Sequence, residues 1–245
     1  GNSILCNNLN TSTIAFNFGI SEEKVHEFID WCSKKVLEVR SRRVCPGLDD
    51  KILVSWNSLM ITAFAKGYRV TNDIRYLNAA KNCISFIEKN LFVDDNLLRT
   101  YKNGNAKING YLEDHSYFIN ALLDVFEIEP NQKYLKLALK LGTHLIDHFW
   151  DSENNSFFMT SDNHEKLIIR PKSNYDLSLP SGNSVSSFVM LRLYHLSQEQ
   201  SFLDISIKIM ESQAQMAAEN PFGFGYCLLY TSDAADEEDS VDLGG

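Results

Sequence analysis

Polar side chains that could carry out acid–base chemistry collect at three places in the sequence, each where an apolar helical pattern begins. The middle cluster opens at Tyr111 and places Glu113, Asp114 and His115 next to one another. Carboxylates and imidazoles act as general acids and bases, and like charges in a confined site push their pKa values apart. We therefore predict Glu113, Asp114 and His115 as the catalytic residues.

The clusters also contain groups suited to holding a ligand. Trp56 and Tyr111 each offer a flat apolar face that can stack on a sugar ring. Arg99, Arg170 and Lys172 can pair with a carboxylate or phosphate. Each residue also has an ordinary structural interpretation, because acids, Ser and Asn cap helix starts and aromatic rings there pack in the core. The predicted substrate-binding residues are Asp49, Asp50, Lys51, Trp56, Asn57, Arg99, Tyr111, Arg170, Lys172, Asp176, Ser181 and Asn183.

Other kinds of catalytic or binding motif are missing from the sequence. It contains no G-x-S-x-G or H-E-x-x-H motif, and Ser181-Gly182-Asn183 is too short for a glycine-rich phosphate loop. His144 and His148 have i, i+4 spacing, but the sequence suggests no third ligand for them. We therefore predict no metal and no cofactor.

Apolar residues recur at helical spacing in seven segments, and the last six form pairs. Tyr76, Tyr134 and Phe202 each follow a turn of about three residues and open the second helix of a pair. The connections between pairs are much longer and contain β-like pieces at Leu98–Tyr101 and Lys166–Arg170. The helices are predicted at about 21–42, 56–70, from 73, at 112–126, at 132–149, from 182, and from 200 to before Pro221.

This alternation of short and long connections predicts the architecture. In up-and-down hairpins, the short turns all lie at one end and the long connections at the other. Tetratricopeptide-type solenoids repeat every ~34 residues with short turns at both ends, which does not fit this pattern. We predict an all-α fold: an α/α toroid of the six-hairpin glycosidase type, incomplete in this chain, with short β-hairpins in the long loops. The functional face should lie where those loops meet the inner helix starts.

Composition excludes several classes of protein. The 245 residues carry a formal net charge of −9, which argues against a nucleic-acid-binding face. The sequence contains no apolar run long enough to span a bilayer, and from its opening residues we expect no signal peptide. The five cysteines form no C-x-x-C pair, as expected for free thiols in a reducing compartment. We predict a cytoplasmic protein with no nucleic-acid or membrane partner, and a segment upstream of Gly1.

The composition changes abruptly near Cys227. Residues 228–245 carry six acidic residues and no basic one, and the string from Tyr230 to Asp236 resembles translated sequencing-adapter read-through. We predict that 227–245 is a non-native or disordered acidic tail. Residues 1–20 are predicted to be an irregular N-terminal segment, and 21–226 a partial α/α toroid domain.

Three motifs occur in a recognisable order: Asp-Asp-Lys-Ile-Leu-Val-Ser-Trp-Asn at 49–57, Gly-Tyr-Leu-Glu-Asp-His at 110–115 and Pro-Ser-Gly-Asn-Ser at 180–184. They resemble the thioredoxin-domain-containing family that includes spermatogenesis-associated protein 20, over about residues 1–226. The chain departs from the family pattern at 44–48, where Pro-His is expected, and at Ser58, where Gly is usual. The paired Asp and the Trp-Asn remain intact.

The resemblance implies an N-terminal thioredoxin-like domain in the same parent chain, followed by a toroid like those of glycosidases and N-acylglucosamine 2-epimerases. It also implies a small-molecule sugar ligand. Two functions stay open. One is a sugar epimerase or isomerase, or a glycoside hydrolase, working by acid–base chemistry. The other is a non-catalytic module that binds ligands or proteins for the thioredoxin-like domain.

Overall fold

The computed structural model describes residues 9–165 and 168–225. The chain divides between Asp49 and Asp50 into two compact units. The predicted tail at 227–245 lies outside the described residues, so its character stays a prediction.

The first unit contains two helices, α1 (Thr11–Phe18) and α2 (Glu22–Ser41). Gly19 ends α1 with φ of 63°, a conformation that glycine adopts without a Cβ penalty. The Ser21 side chain accepts a hydrogen bond from the Lys24 N–H and caps α2, as its sequence predicts. Residues 11–18 of the segment predicted as irregular are therefore helical, because Asn10 caps them through the Thr13 N–H.

The second unit is built from three helical hairpins and short strands. The helices are α3 (Val54–Thr71), α4 (Ile74–Asn90), α5 (Leu112–Ile128), α6 (Gln132–Phe149), α7 (Gly182–Ser197) and α8 (Gln200–Glu219), with a 3₁₀ turn at Pro221–Phe224. The strands are β1 (Ile52–Leu53), β2 (Phe92–Val93), β3 (Asn96–Lys102), β4 (Asn105–Asn109), β5 (Trp150–Asp151) and β6 (Ser156–Phe157).

The short turns and long connections lie as the sequence predicts. Asn72 and Gln198 end α3 and α7 in the left-handed region, with φ of 55° and 61°, and let the chain reverse within a few residues. The predicted β-like piece at Leu98–Tyr101 is part of β3, which pairs antiparallel with β1, β2 and β4. The second predicted piece is wrong where it can be seen, since 168–170 form no strand, and 166–167 lie outside the described residues.

Helix α5 lies at the centre of the second unit. Every residue from Asp114 to Val125 is buried, and the helix packs against α3, α6 and α7. A helix buried all round cannot be amphipathic, which explains its run of Phe118, Ile119 and Leu122 with few charges. The outer helix α6 instead alternates buried Leu141 and Leu145 with exposed polar residues. The core therefore fixes the start of α5 relative to its neighbours.

Candidate functional site

The starts of α3, α5 and α7 meet at the end of the second unit that carries the long connections. The Ser55 N–H of α3 donates a 3.0 Å hydrogen bond to Asp114 Oδ1 of α5. Gly182 of α7 packs so closely on α5 that a Cβ there would lie 2.9 Å from Leu112 Cδ2. The Tyr117 hydroxyl donates to the Pro180 carbonyl just before α7. This arrangement confirms the predicted adjacency of the three helix starts.

Asp114 is the hub of this junction and is completely buried. Besides Ser55, its carboxylate accepts hydrogen bonds from the Tyr111 N–H at 2.9 Å and from Arg99 Nη1 at 2.8 Å. Burial raises the pKa of the Asp114 carboxyl, while the Arg99 guanidinium and the Tyr111 and Ser55 N–H groups act to lower it. All its partners are donors, so the geometry suits the carboxylate and ties α3, β3 and α5 together.

Arg99 projects from β3 and also reaches the neighbouring acid. Its Nη1 lies 2.8 Å from Glu113 Oε1 as well as from Asp114 Oδ2. The guanidinium lies over the Tyr111 ring, 4.5 Å from its centroid, in a cation–π contact. The Glu113 side chain is 33% exposed and that of Asp114 is 0% exposed. Of these two adjacent acids, Glu113 is the one that solvent or a ligand can reach.

Glu113 lines a shallow depression between the starts of α5 and α7, which we call the α5–α7 recess. Its other lining residues are Tyr111, Leu112, Met159, Ser173 and Gly182. It combines a carboxylate, a hydroxyl and an aromatic ring with apolar walls, which is the composition of a small polar-ligand site. Sequence reasoning missed Met159 and Ser173, since both lie in the long connection before α7 and belong to no periodic pattern.

His115 faces α6 instead. Its ring stacks on His144, with centroids 5.3 Å apart, and meets Phe149 edge-on at 5.2 Å. Burial lowers the pKa of His115 to about 4, although its hydrogen bond to the Tyr111 carbonyl opposes the shift. Burial also lowers the pKa of His144 to about 4. Both imidazoles are therefore neutral at pH 7.

Asn57 and Trp56 lie next to each other at the start of α3, but Asn57 hydrogen-bonds within the protein and Trp56 faces solvent. The Asn57 amide donates to the Leu53 carbonyl at 2.8 Å and accepts a long 3.7 Å contact from the Cys83 thiol of α4. It therefore braces the first turn of α3 against the outer helix. Trp56 is 63% exposed and does not line the α5–α7 recess.

Asn183, at the start of α7, has its hydrogen-bonding capacity filled by the protein. Its Oδ1 accepts from the Phe157 N–H at 2.7 Å, and its Nδ2 donates to the carbonyls of Phe157 and Ser173 and to Asn174 Oδ1. It is 0% exposed. Asn183 therefore holds the long connection against α7.

Ser181 and Asp176 have a similar part in the framework. The Ser181 hydroxyl caps α7 by accepting from the Ser184 N–H at 3.0 Å. Asp176 Oδ1 accepts from the Ser181 N–H at 2.7 Å. Both hydrogen bonds stabilise the start of α7, which is the structural interpretation, helix capping, given to such residues from the sequence.

The remaining predicted cations are engaged with the long connection. Arg170 Nη2 donates to the carbonyls of Thr160 and His148, at 2.5 and 3.1 Å. Lys172 forms an ion pair with Asp151, and both cations lie over the Phe158 ring. The Lys172 hydrogen bond holds the pKa of Asp151 far below its usual range.

The acidic pair before α3 lies at the surface. Asp50 forms an ion pair with Lys102, whose hydrogen bond lowers the pKa of that carboxyl. Asp49 and Lys51 are also exposed, and Asp49 belongs to the first unit. The structure brings neither Asp50 nor Lys51 into the lining of the α5–α7 recess.

Residues 9–165 and 168–225 contain no group of three or more His, Cys, Asp or Glu side chains placed to hold a metal ion. In the same ranges, none of the helices combines the length and apolar character needed to cross a membrane.

Comparison with known proteins identifies relatives by sequence. The chain is 31% identical over 198 residues to an uncharacterised protein of Caenorhabditis elegans, covering 77% of this chain and 27% of that protein. It is 28% identical over 232 residues to human spermatogenesis-associated protein 20, covering 90% of this chain and 30% of that protein. The chain thus spans less than a third of the length of these relatives. No family model matches it.

Solved structures with the same fold include a sugar epimerase, a sugar isomerase and a mannanase variant. Cellobiose 2-epimerase from Bacillus thermoamylovorans matches with a TM-score of 0.59 and 16% identity, over 69% of this chain and 46% of the epimerase. An inactive α-1,6-mannanase variant from Salegentibacter, with two adjacent aspartates substituted and a mannotetrose bound, matches with a TM-score of 0.55 and 19% identity, over 66% and 47%. D-mannose isomerase matches with a TM-score of 0.55 and 16% identity, over 69% and 43%. These likenesses confirm the predicted α/α-toroid fold class.

Proposed function

We propose that this chain is a carbohydrate-processing domain in which the Glu113 carboxylate transfers a proton to or from a sugar. The observation that carries the proposal is Glu113 itself: a partly exposed carboxylate in the α5–α7 recess, held 2.8 Å from Arg99. A positioned carboxylate is an effective general acid or base. The solved structures compared above are an epimerase, an isomerase and a mannanase variant, which supports a sugar as the substrate.

The roles follow from exposure and contacts. Glu113 carries the proton, and the Tyr111 ring, stiffened by Arg99 above it, offers a stacking surface. Asp114 and His115, predicted as catalytic together with Glu113, are positioning residues in this proposal because both are buried. Asp114 holds Arg99 in place, and through Arg99 it fixes the orientation of Glu113. The chemistry needs no cofactor.

A single accessible carboxylate favours isomerisation, in which Glu113 takes a proton from one carbon of the open-chain sugar and returns it to the neighbouring carbon. Epimerisation and hydrolysis each need a second acid–base group. A glycosidase places two carboxyl groups on either side of the scissile bond, ~5–9.5 Å apart. Glu113 and Asp114 share one Arg99 nitrogen, so the bonded oxygens lie no more than twice 2.8 Å apart. That spacing alone would suit a retaining enzyme, and the mannanase likewise depends on two adjacent acids. However, Asp114 is 0% exposed and engaged by three donors, so it cannot reach a sugar.

A second function is favoured by a different observation. Asn57, Asp114 and Asn183 were all predicted to act on a ligand, but their polar groups form hydrogen bonds within the protein. A site with a single accessible carboxylate and an aromatic wall is sufficient for a module that binds a sugar without changing it. The resemblance to the spermatogenesis-associated protein 20 family further supports a thioredoxin-like domain in the same parent chain, and the five cysteines without a C-x-x-C pair support a cytoplasmic location. The binding module would present its ligand to that domain.

The test is turnover by matched variants. We would incubate the chain with mannose, glucose, cellobiose and α-1,6-mannobiose and follow the anomeric proton signals by NMR. Glu113→Gln should reduce turnover about 10²–10⁴-fold, since it removes the proton-transferring group. Glu127→Gln is the control: Glu127 also lies on α5, is also partly exposed and also pairs with arginines, but at the other end of the helix.

Each outcome separates the two functions. Turnover that Glu113→Gln abolishes and Glu127→Gln preserves supports the enzyme. Saturable binding of a sugar without turnover, weakened by Glu113→Gln, supports the binding module. Equal turnover in wild type and Glu113→Gln would contradict the catalytic assignment.

A further inference from the structure

A second recess lies on the other side of the α5 start, next to His115. The His115 Nδ1 atom is 2.9 Å from the Tyr111 carbonyl oxygen. A carbonyl only accepts, so Nδ1 carries the ring hydrogen and Nε2 is left as a bare acceptor. His115 is 2% exposed, and within the described part of the chain its Nε2 has no hydrogen-bond partner. A buried acceptor without a donor is costly, so this atom points to a missing partner.

The surroundings of this acceptor define what that partner is. We call the depression the histidine recess; its walls are Leu97, Asn109, Gly110, His115, His144 and Ser161, and Asn96 and Asn163 complete the lining. The described residues that line the histidine recess include no acid, lysine or arginine. Its two imidazoles, of His115 and His144, are neutral at pH 7 because burial lowers the pKa of each to about 4. An ionic ligand would find no counter-charge among them.

The backbone makes room for this arrangement at Gly110. A Cβ at that position would lie 2.9 Å from His115 Cε1 and 2.9 Å from the Leu97 carbonyl oxygen. Any side chain there would therefore push against the imidazole. Asn163 is exposed, so the recess has a rim that solvent reaches. The recess is narrow, with room beside the imidazole for about one water-sized group, so it suits a single hydroxyl of a small molecule rather than a ring.

We propose that the histidine recess binds the hydroxylated end of a small uncharged polyol, with one hydroxyl donating a hydrogen bond to His115 Nε2. The Asn109 amide and the Ser161 hydroxyl also line the recess; the Ser161 hydroxyl donates to Asn163 Oδ1 at 2.5 Å, so toward a ligand it acts as an acceptor. Such a ligand is either a free polyol or the exocyclic arm of a sugar, since both present neighbouring hydroxyls. This site is separate from the α5–α7 recess and does not rest on the acid–base role of Glu113.

The experiment follows His115 directly. The chain has six histidines, so long-range ¹H–¹⁵N NMR correlations can resolve the ring nitrogens of each. Glycerol and methyl α-D-mannopyranoside are the two probes, one for a free polyol and one for a sugar. A saturable upfield movement of the His115 Nε2 signal with either probe is expected, and the probe that acts at lower concentration identifies the source. His26, an exposed histidine of the first unit, reports the bulk solvent effect.

Three variants make the result specific. His115→Phe keeps a ring against His144 but removes the acceptor. With binding followed at the ring nitrogens of His144, which also lines the recess, it should weaken binding about tenfold, the equivalent of one good hydrogen bond. Asn109→Ala leaves His115 in place and should also weaken binding, which guards against a folding defect in the first variant. Glu113→Gln should leave the Nε2 response unchanged, because Glu113 lines the other recess.

The proposal is overturned by either of two results. One is a His115 Nε2 signal that stays still, or that only drifts in parallel with His26, as the probes are added. The other is a crystal soaked in glycerol that shows a lone water on Nε2 and no probe in the recess.

Discussion

Replacing Asp114 by Asn should destabilise the protein more than any other isosteric change at the helix starts. The amide keeps one acceptor oxygen, but it replaces the other with an NH₂ group that faces donors. In one orientation of the amide, its NH₂ group faces the Ser55 N–H. In the other, it faces both the Tyr111 N–H and Arg99. In either case two donors are placed against each other. The site is completely buried, so water cannot compensate.

The size of the effect follows from these contacts. Removing one partner of a buried ion pair costs about 3–5 kcal/mol. Arg99 keeps Glu113 as a second partner, so the lower end, about 3 kcal/mol, is expected for Asp114→Asn. For a domain of this size, 1 kcal/mol corresponds to about 2–4 °C, which predicts a fall in Tm of about 6–12 °C.

The assay is urea and thermal unfolding followed by circular dichroism, with Glu113→Gln as the matched control. Glu113 pairs with the same Arg99 nitrogen but is partly exposed, so its amide should cost less than about 1 kcal/mol. The contrast between the two neighbouring positions is therefore the measured quantity. Equal losses of stability for the two variants would refute the assignment of Asp114 as the buried hub.

Three further changes test other parts of the structure. Burial lowers the pKa of His115 to about 4 from 6.5, so as pH falls the unfolded chain takes up the proton before the folded one. The stability that neutral His115 contributes is complete above about pH 6.5 and declines by about 1.4 kcal/mol per pH unit toward pH 4. His115→Phe should remove this part of the pH dependence of the unfolding free energy, measured by urea unfolding at pH 7, 6 and 5. Gly142→Ala should lower the free energy of urea unfolding by about 1–2 kcal/mol, because the new Cβ would lie 2.5 Å from the buried Leu193 Cδ1. The better helix propensity of Ala acts in the opposite direction, so an increase in stability would contradict this packing. Asn183→Ala should lower the free energy of unfolding by about 3 kcal/mol, because the N–H and the carbonyl of Phe157 both lose a hydrogen-bond partner. Hydrogen exchange at the Phe157 amide should therefore accelerate, and unchanged exchange would contradict the role of Asn183 in holding this connection.

Much of the fold could be predicted because it depends on local signals. Ser21 and Asp73 cap helices whose starts the sequence marks, and the boundaries predicted for α6 are those observed. The order of short turns and long connections was sufficient to place the helix starts at one end. Helix α1 was missed because it is short and its Phe16 and Phe18 are exposed, which leaves no amphipathic pattern.

The candidate site was only partly predictable, for a physical reason. A polar residue at a helix start can cap, brace a loop or face a ligand, and residue type does not separate these roles. Asn183 turned inward because backbone groups of the long connection, at Phe157 and Ser173, need polar partners. Asn57 instead bonds back to the Leu53 carbonyl at the start of its own helix. Ser173 entered the α5–α7 recess only through the path of the chain between β6 and α7. Such a path is set by tertiary contacts, which leave no signal in a single sequence.

The first turn of α5 shows how one short motif can serve several purposes at once. Successive residues of an α-helix point about 100° apart, so Glu113, Asp114 and His115 must face three different neighbours. Glu113 reaches the recess beside α7, Asp114 reaches α3, and His115 reaches α6. Glu113 and Asp114 still meet at Arg99 Nη1, but Asp114 and His115 are buried, so the motif divides into one accessible acid and two buried residues. Because the buried Asp114 holds Arg99 and Arg99 contacts Glu113, the orientation of Glu113 is set before any ligand binds, which is the condition that an efficient acid–base group requires.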